Sequence, residues 1–336
     1  MTRMAWIGGL LAIAGMAGAA GCDRDGATTE DTPVAADPAF AAAQSAWRQH
    51  RRDALLAVDG WTSLAGLHWL ELDAHYLGSS PGSGIRLAFG PPRLGLLQRE
   101  GGRVFLTPER GVALTLDGTP MTGRAELHAD RDASPSTVGF DAGRGSLGLI
   151  ERGGRVALRV RHADAEARKG FGHLDYWPPD AAWRVEGRFQ LHPAGRTIAI
   201  ANIIGTLEQV PNPGVVVFER EGRAFRLEAL DGGDGSLFLI LADRTSGHDS
   251  YGAGRYLDVG AADADGTVVL DFNHAYNPPC AFTPFATCPL PPPENRLDLA
   301  ITAGEKRYRA PAPPAAAPGT PAAAPPATAA HAVSRD

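Results

Sequence analysis

Two polar stretches in the last third of the chain contain residue types that carry out chemistry. The first, residues 243–251, has the sequence DRTSGHDSY and follows the apolar run Leu237–Leu241. Its hydroxyls, carboxylates and imidazole are the groups from which a nucleophile and its general base are made. Polar groups on a connection between strands are often functional. A turn in which Asp, Ser and Thr side chains satisfy their own backbone accounts for the same residues.

The second stretch, Asp271–Arg296, has the sequence DFNHAYNPPCAFTPFATCPLPPPENR. Each of its seven prolines fixes φ and removes a backbone donor, so the stretch forms neither a helix nor a central strand. Long irregular loops in compact domains are usually functional or disordered. The aromatic and amide side chains of this loop argue against disorder. We therefore expect a stiff loop that forms part of a functional site.

We expect the two stretches to face one pocket that binds a small polar or anionic ligand. Arg255 or Arg296 would suit a carboxylate or another anion, because a guanidinium offers a planar set of donors. The predicted ligand-binding residues are Thr245, Tyr251, Arg255, Asn273, Tyr276, Asn277, Asn295 and Arg296.

Two alternatives remain open, and the sequence does not decide whether the protein is an enzyme. The first is a hydrolase whose nucleophile is Ser246 or Thr245. Alternatively, the hydrolase would use two carboxyl groups among Asp243, Asp271 and Glu294 as a general acid and a general base. In the second alternative, polar residues cap strand ends and pin the loop, and the function lies on a surface for an unidentified protein partner. The pinning residues would be Asp271, Asn273, Asn277 and Asn295.

The chain has only three cysteines, Cys22, Cys280 and Cys288. If Cys22 carries a lipid, Cys280 and Cys288 remain in a compartment that permits disulfides, and we predict a bridge between them. Closing that short loop would contribute about 2.5 kcal/mol in the chain-entropy treatment. A catalytic cysteine would need a nearby base such as His274. A metal site would need ligand spacings that the cysteines and histidines lack, so we expect neither metal nor cofactor.

The beginning of the chain predicts export. Arg3 precedes an apolar run from Trp6 to Ala17 that is too short for a comfortable membrane span, and small residues follow it. The Ala-Ala-Gly-Cys ending at Cys22 resembles a bacterial lipobox, which implies that Cys22 is the lipidated anchor of the mature protein. An ordinary secretory signal is the alternative. Asp23 resembles the signal that retains lipoproteins in the inner membrane, so we expect the periplasmic side of that membrane.

The elements that must position the polar stretches are one helix and many short strands. Asp37 is a predicted N-cap, Pro38 a first helical residue, and apolar residues from Phe40 to Val58 recur at helical spacing. From Trp61 onward, short β-type runs alternate with turn signals such as Gly101-Gly102 and Gly232-Gly233. This pattern predicts a mainly β fold, an antiparallel sandwich or barrel-like domain with one N-terminal amphipathic helix.

The charge of the chain excludes one class of partner, and its composition predicts the boundaries of its segments. The net charge is −6, and the sequence has no block of Lys and Arg. We therefore exclude nucleic acid as a partner, because its binding needs a basic surface patch. Residues 1–21 are the predicted signal peptide and 22–36 a polar tether. Residues 37–308 are the predicted β-rich domain, with a possible subdivision near residue 150. Residues 309–336 are a predicted disordered tail, because the stretch 310–330 consists of Ala, Pro, Thr and Gly.

Several segments of the chain resemble a known family. These segments are LADRTSGHDSYGAGRYLDV, VVLDFNHAYNPPCAFTPFATCPLPPPENRL and ITAGEK near the C-terminus, with GWTSLAGLHWLELDAHYLGS and the stretch from Ile150 to Phe189 before them. Together they are similar to DUF1684, a bacterial and archaeal domain of unknown function, over about Ala41–Lys306. The resemblance implies one integral domain and brings no established activity.

Overall fold

The structure is a computed structural model that describes residues 37–311. The predicted signal peptide, lipidated Cys22 and tether lie outside the described residues, as does the predicted tail from residue 312 onward. Within the described part of the chain, no helix is both long enough and apolar enough to cross a membrane.

The chain begins with the predicted helix, α1, which spans Pro38–Leu56. Asp37 Oδ1 accepts a hydrogen bond from the backbone N–H of Ala39 at 2.9 Å, so the predicted cap is confirmed. The helix ends before Val58. The periodicity predicted that Val58 belongs to the buried face of the helix, but its side chain is 57% exposed. Gly60 follows, where a Cβ would lie 2.4 Å from the Ala54 carbonyl oxygen. The helix itself ends at Ala57, whose ψ of 155° is not helical, and the missing Cβ of Gly60 lets the chain turn back past the last helical turn.

The cap gives a local test of helix stability. Replacing Asp37 with alanine is expected to lower the free energy of unfolding by about 1 kcal/mol, because the Ala39 N–H loses its acceptor. Urea unfolding followed by tryptophan fluorescence measures the change. His50→Ala, at an exposed position of the same helix, is the control and should stay within about 0.5 kcal/mol. Equal values for the two variants would show that the cap contributes nothing.

Short strands and one further turn of helix, α2 (Glu166–Lys169), make up the first half of the described chain. The strands are β1 Leu64–Trp69, β2 Ala74–Gly78, β3 Ile85–Arg86, β4 Gly95–Glu100, β5 Arg103–Pro108, β6 Thr115–Leu116, β7 Thr119–Pro120, β8 Ala125–Leu127, β9 Val138–Phe140, β10 Gly145–Arg152 and β11 Arg155–His162.

These strands form two sheets that pack face to face. The first sheet has the order β1-β11-β10-β9-β6-β7 and the second the order β3-β2-β4-β5-β8. Leu158 and Val160 of the first sheet pack in one apolar core with Leu97 and Leu106 of the second. Because side chains alternate along a strand, Arg159 and Arg161 of β11 lie on the opposite face of the first sheet. That face points away from this core.

The second half contains a third sheet and a two-stranded hairpin. The third sheet has the order β18-β17-β16-β15-β12-β19. Its core includes Phe218, Leu239 and Leu270, which pack against Leu299 and Ile301 of the segment that follows the proline-rich loop. The strands are β12 Arg184–Leu191, β13 Thr197–Ala201, β14 Leu207–Pro211, β15 Gly214–Arg220, β16 Arg223–Gly233, β17 Ser236–Leu241, β18 Arg255–Val259 and β19 Thr267–Asp271, with β13 and β14 as the hairpin.

The predicted mainly β, antiparallel fold with one N-terminal helix is confirmed. Among the named strand pairs of residues 37–311, β2 with β3 is parallel and the others are antiparallel. One predicted turn is wrong. Gly232 and Gly233 belong to β16, where the register shifts, and the turn falls on Asp234 and Gly235, both at positive φ. The predicted subdivision near residue 150 stays a prediction.

Candidate functional site

The stretch Asp271–Arg296, hereafter the proline loop, runs between the two halves of the described chain. Three short 3-10 turns, Phe272–His274, Pro279–Ala281 and Pro293–Asn295, interrupt its otherwise irregular course. Ala286 and Cys288 of the loop pack in one apolar cluster with Leu64 of β1 and with Ile240 and Tyr256 of the third sheet. The loop therefore contacts both halves of the described chain.

The first polar stretch is organised by a wholly buried ion pair. Arg255 Nη2 lies 3.4 Å from Asp243 Oδ2, and both side chains are 0% exposed. Arg255 also donates to the carbonyl oxygens of Ala303 at 2.5 Å and Ile301 at 2.9 Å. Burial lowers the pKa of Arg255, and neighbouring Asp243 and Glu305 oppose this effect. The two terminal nitrogens of the guanidinium are thus occupied by internal partners, whereas its buried Nε has no acceptor.

The two candidate nucleophiles lie beside this pair. Thr245 Oγ1 donates to the Asp243 carboxylate at 2.9 Å and lies 2.8 Å from Ser250 Oγ. Ser246 Oγ donates to Asp243 Oδ1 at 3.1 Å. The nearby His248 is exposed. In the described structure neither hydroxyl has a histidine hydrogen-bond partner, and the hydrolase alternative stays a prediction.

The beginning of the proline loop is held by its own polar side chains. Asp271 Oδ1 accepts hydrogen bonds from the Asn273 backbone at 3.0 Å and from Asn273 Nδ2 at 2.8 Å. Asn273 in turn pairs with both backbone groups of Asp180. Gln44 of α1 donates to Asp271 Oδ2 at 3.2 Å. These contacts link the loop to α1 and to the segment before β12.

A second set of contacts joins Asn277 to α1. Its backbone N–H donates to Glu305 Oε2 at 2.8 Å, and its Nδ2 donates to the Lys306 carbonyl at 2.8 Å. Arg51 of α1 donates to Glu305 Oε1 and to the Asn277 carbonyl, both at 2.9 Å. The Arg51 guanidinium also lies 4.5 Å from the ring centre of Tyr276. Burial raises the pKa of Tyr276, which keeps that phenol neutral.

Asn295 pins the end of the loop to the third sheet. Its Oδ1 accepts the Glu228 backbone N–H at 2.7 Å, and its Nδ2 donates to the carbonyls of Glu228 and Ile240, both at 2.9 Å. The Glu228 carboxylate lies 2.7 Å from His192 Nε2. Glu294 and Arg296, on either side of Asn295, are exposed. Asn295 is therefore buried and holds the loop in place, whereas its two charged neighbours are exposed to solvent.

Tyr251 and the two cysteines form a further contact set. Tyr251 Oη donates to the Cys280 carbonyl at 3.1 Å, and the Cys280 backbone N–H donates to Cys288 Sγ at 3.1 Å. Both cysteines are free thiols in this structure. A hydrogen bond with Cys280, together with burial, raises the pKa of Cys288. The disulfide stays a prediction. His274, the base required by a cysteine nucleophile, instead stacks on Trp47 at 4.5 Å.

The predicted site residues therefore fall into several internal networks. The side chains of Thr245, Arg255, Asn273, Asn277 and Asn295 each hydrogen-bond within the protein. Their role as ligand contacts stays a prediction. What the structure does establish is that they hold the proline loop and its neighbours in one arrangement.

The proline loop also contacts a group of arginines that was not predicted from the sequence. Arg152 Nε and Arg159 Nη2 both donate to Thr287 Oγ1 of the proline loop, at 3.2 and 3.3 Å. The guanidiniums of Arg159 and Arg161 lie 5.8 and 5.3 Å from the ring of Trp61. We call Arg152, Arg159, Arg161 and Thr287 the arginine group. It lies on the face of the first sheet opposite the core.

The members of the arginine group differ in how well they are paired. Arg152 has Asp130 at 2.8 Å, and Arg161 donates to the carbonyls of Asp59 and Gly60. Arg159 has no carboxylate partner within residues 37–311, and its enclosed Nε has no acceptor. Burial, with a further contribution from Arg152 and Arg161, lowers the pKa of Arg159 to about 10, and the nearby Asp130 carboxylate partly opposes this effect, so Arg159 remains cationic at neutral pH.

One sequence signal does mark this group. The β11 sequence RVALRVRH places arginine at residues 155, 159 and 161, all on one face of the strand. A strand with one apolar and one cationic face needs a partner for the cationic face. The pattern does not reveal that partner, because Thr287 is 128 residues from Arg159 along the chain. In the described residues, no cluster of three or more His, Cys, Asp or Glu side chains could hold a metal ion.

The fold and these contacts define a mainly β protein in which a pinned proline-rich loop lies against a cationic sheet face. Residues 169–306 match the family described as protein of unknown function DUF1684, and the chain contains a domain of that family. The match covers the proline loop and Glu305, whereas the arginines of the first sheet precede it. The resemblance before residue 169 stays a prediction.

Two further comparisons bear on the chain. A solution NMR structure of an uncharacterized protein from Haloarcula marismortui is 32% identical in sequence. The similarity covers 41% of this chain and 78% of that one, with a TM-score of 0.35. No curated protein matches the chain.

Proposed function

We propose that the protein binds a small anionic ligand at the arginine group, against the proline loop. The observation that carries this proposal is Arg159, a half-buried guanidinium without a carboxylate partner in the described chain. Removing a charge from water is costly unless it is paired, and the neighbouring arginines add repulsion. An anion at this position would supply the missing charge and hydrogen-bond acceptors.

Thr287 would complete the recognition of that anion. Its oxygen already accepts hydrogen bonds from two guanidiniums, so its lone pairs are occupied. Its hydroxyl proton has no acceptor among the described contacts and is available to a ligand oxygen. The pinned ends of the proline loop hold this hydroxyl in place, which is the preorganisation that a binding site requires.

The proposal places the protein at the bacterial cell envelope. A lipid on Cys22 would anchor it to the membrane, and Asp23 favours the periplasmic side of the inner membrane. The support is the order of charged, apolar and small residues at the start of the sequence, which lies outside the described structure. A small anion would reach the arginine group there without crossing the inner membrane.

Calorimetric titration with inorganic phosphate, sulfate and acetate tests the binding. Arg159→Gln is expected to weaken binding about ten- to hundredfold, because a hydrogen bond to a charged group contributes about 1.5–3 kcal/mol. Thr287→Val, which keeps the shape of the side chain, should weaken it by about fivefold. For the native protein, an anion at 100 times its Kd should raise the free energy of unfolding by about 2.7 kcal/mol.

A matched control lies on the same strand. Arg155 belongs to the same face of β11, but it pairs with Glu71 at 3.4 Å and stacks on Trp69 at 4.3 Å. Arg155→Gln should therefore bind anions as the native protein does. Equal anion affinities for the Arg155 and Arg159 variants, both folded by circular dichroism, would refute the proposed site.

A further inference from the structure

An apolar cavity is lined by residues that neighbour the arginine group, although none of the four residues of that group lines it. Its volume is about 350 Å³, within the usual range for small-molecule sites. Four segments line it, residues 64–65, 88–89, 166–167 and 283–285. Phe89, Pro284 and Phe285 are among its apolar lining residues, and the charged lining residue Glu166 is exposed to solvent.

The cavity and the arginine group share two structural elements. Leu64 of β1, which lines the cavity, is the cross-strand partner of Arg161 of β11. Phe285 of the wall lies two residues before Thr287 in the proline loop. Leu64 and Phe285 also belong to one apolar cluster with Cys288. An apolar space and a cationic group therefore adjoin along both the strand and the loop.

We infer that the ligand is a single-chain amphipathic anion, with its charged head at Arg159 and Thr287 and its alkyl chain in the apolar cavity. This inference rests on the proposed function, because it needs an anion at the arginine group. A purely inorganic anion would leave the cavity unused, and an uncharged alkyl ligand would leave Arg159 unpaired. An alkyl carboxylate or an alkyl phosphate satisfies both parts of the site.

The test is a titration series of acetate, butanoate, hexanoate, octanoate and decanoate, each below its micelle concentration, with decyl phosphate as a second head group. Affinity is expected to rise about fourfold for each methylene that enters the cavity. Comparing decanoate with decyl phosphate then identifies the preferred head group.

Two variants separate the head and tail contributions. Ala88→Trp fills the cavity at an exposed position of its wall and should abolish the dependence on chain length while acetate still binds. Ala133→Trp, at an exposed position that does not line the cavity, is the matched control. Arg159→Gln should weaken every member of the series by a similar factor.

The outcomes distinguish this inference from the function on which it rests. If acetate and decanoate bind equally and both depend on Arg159, the amphipathic ligand is wrong and the anion site stands. If affinity rises with chain length equally in the Ala88→Trp and Ala133→Trp proteins, the chain binds elsewhere and the inference is overturned. If no anion binds, the proposed function itself fails.

Discussion

Replacing Arg255 with methionine is expected to lower the free energy of unfolding by about 3–5 kcal/mol. The substitution leaves the Asp243 carboxylate buried without its counter-charge and removes the donors to the Ile301 and Ala303 carbonyls. Urea unfolding followed by circular dichroism measures the loss. Much of a typical domain's stability would disappear, so this is one of the two largest effects that we expect.

The controls for Arg255 identify the cause of the loss. Arg226→Met changes an exposed arginine on β16 and should stay within about 0.5 kcal/mol of the native value. Arg255→Lys keeps the charge without the planar set of donors and should fall between the native protein and the methionine variant. An Arg255→Met protein that keeps native stability but loses anion binding would instead make Arg255 a ligand contact, as the sequence analysis predicted.

Replacing Glu305 with alanine is expected to release α1 from the rest of the protein. The Glu305 side chain is 0% exposed and accepts hydrogen bonds from Arg51 and from the Asn277 backbone. Its removal leaves Arg51 Nε and the buried Asn277 N–H without their acceptor, and Arg51 keeps only its bond to the Asn277 carbonyl, so we expect a loss of about 3–5 kcal/mol. Hydrogen exchange over residues 38–56 should accelerate more than exchange in the third sheet.

Glu294→Ala provides the comparison for Glu305. Glu294 is an exposed carboxylate of the proline loop, and its removal should leave both stability and helix exchange unchanged. If α1 exchanges at the native rate in the Glu305→Ala protein, other contacts hold the helix. The apolar contact of Leu55 with Leu174 and Phe282 would then be the main one.

The structural features that could be predicted from the sequence are those determined by neighbouring residues. Asp37 and Pro38 predicted the start of α1 because a cap involves neighbouring residues. The strand β11 could be predicted from its own alternation. Val58 was misplaced because the backbone leaves the helical conformation at Ala57, whereas the apolar periodicity continues to Val58. The turn after β16 was misplaced because a register shift admits an extra residue.

The site depended mainly on contacts between distant residues. The sequence marked Asn273, Asn277 and Asn295 as polar residues in a stiff loop, and the pinning alternative anticipated the contacts that they make. It did not reveal which backbone groups they meet, because Asn295 lies 67 residues from Glu228 and 55 from Ile240. Arg159 was missed for the same reason. The chemistry of a side chain is local, whereas its partners are determined by the fold.

The contact between Arg51 and Glu305 joins residues that are 254 positions apart. The helix α1 is synthesised early, yet its main polar partners, Asn277 and Glu305, are among the last described residues to emerge. Long-range pairing of this kind delays folding until the distant segment is present. We therefore expect α1 to stay undocked in a chain that is still incomplete at its C-terminal end, and to dock only when the segment around Glu305 has been synthesised.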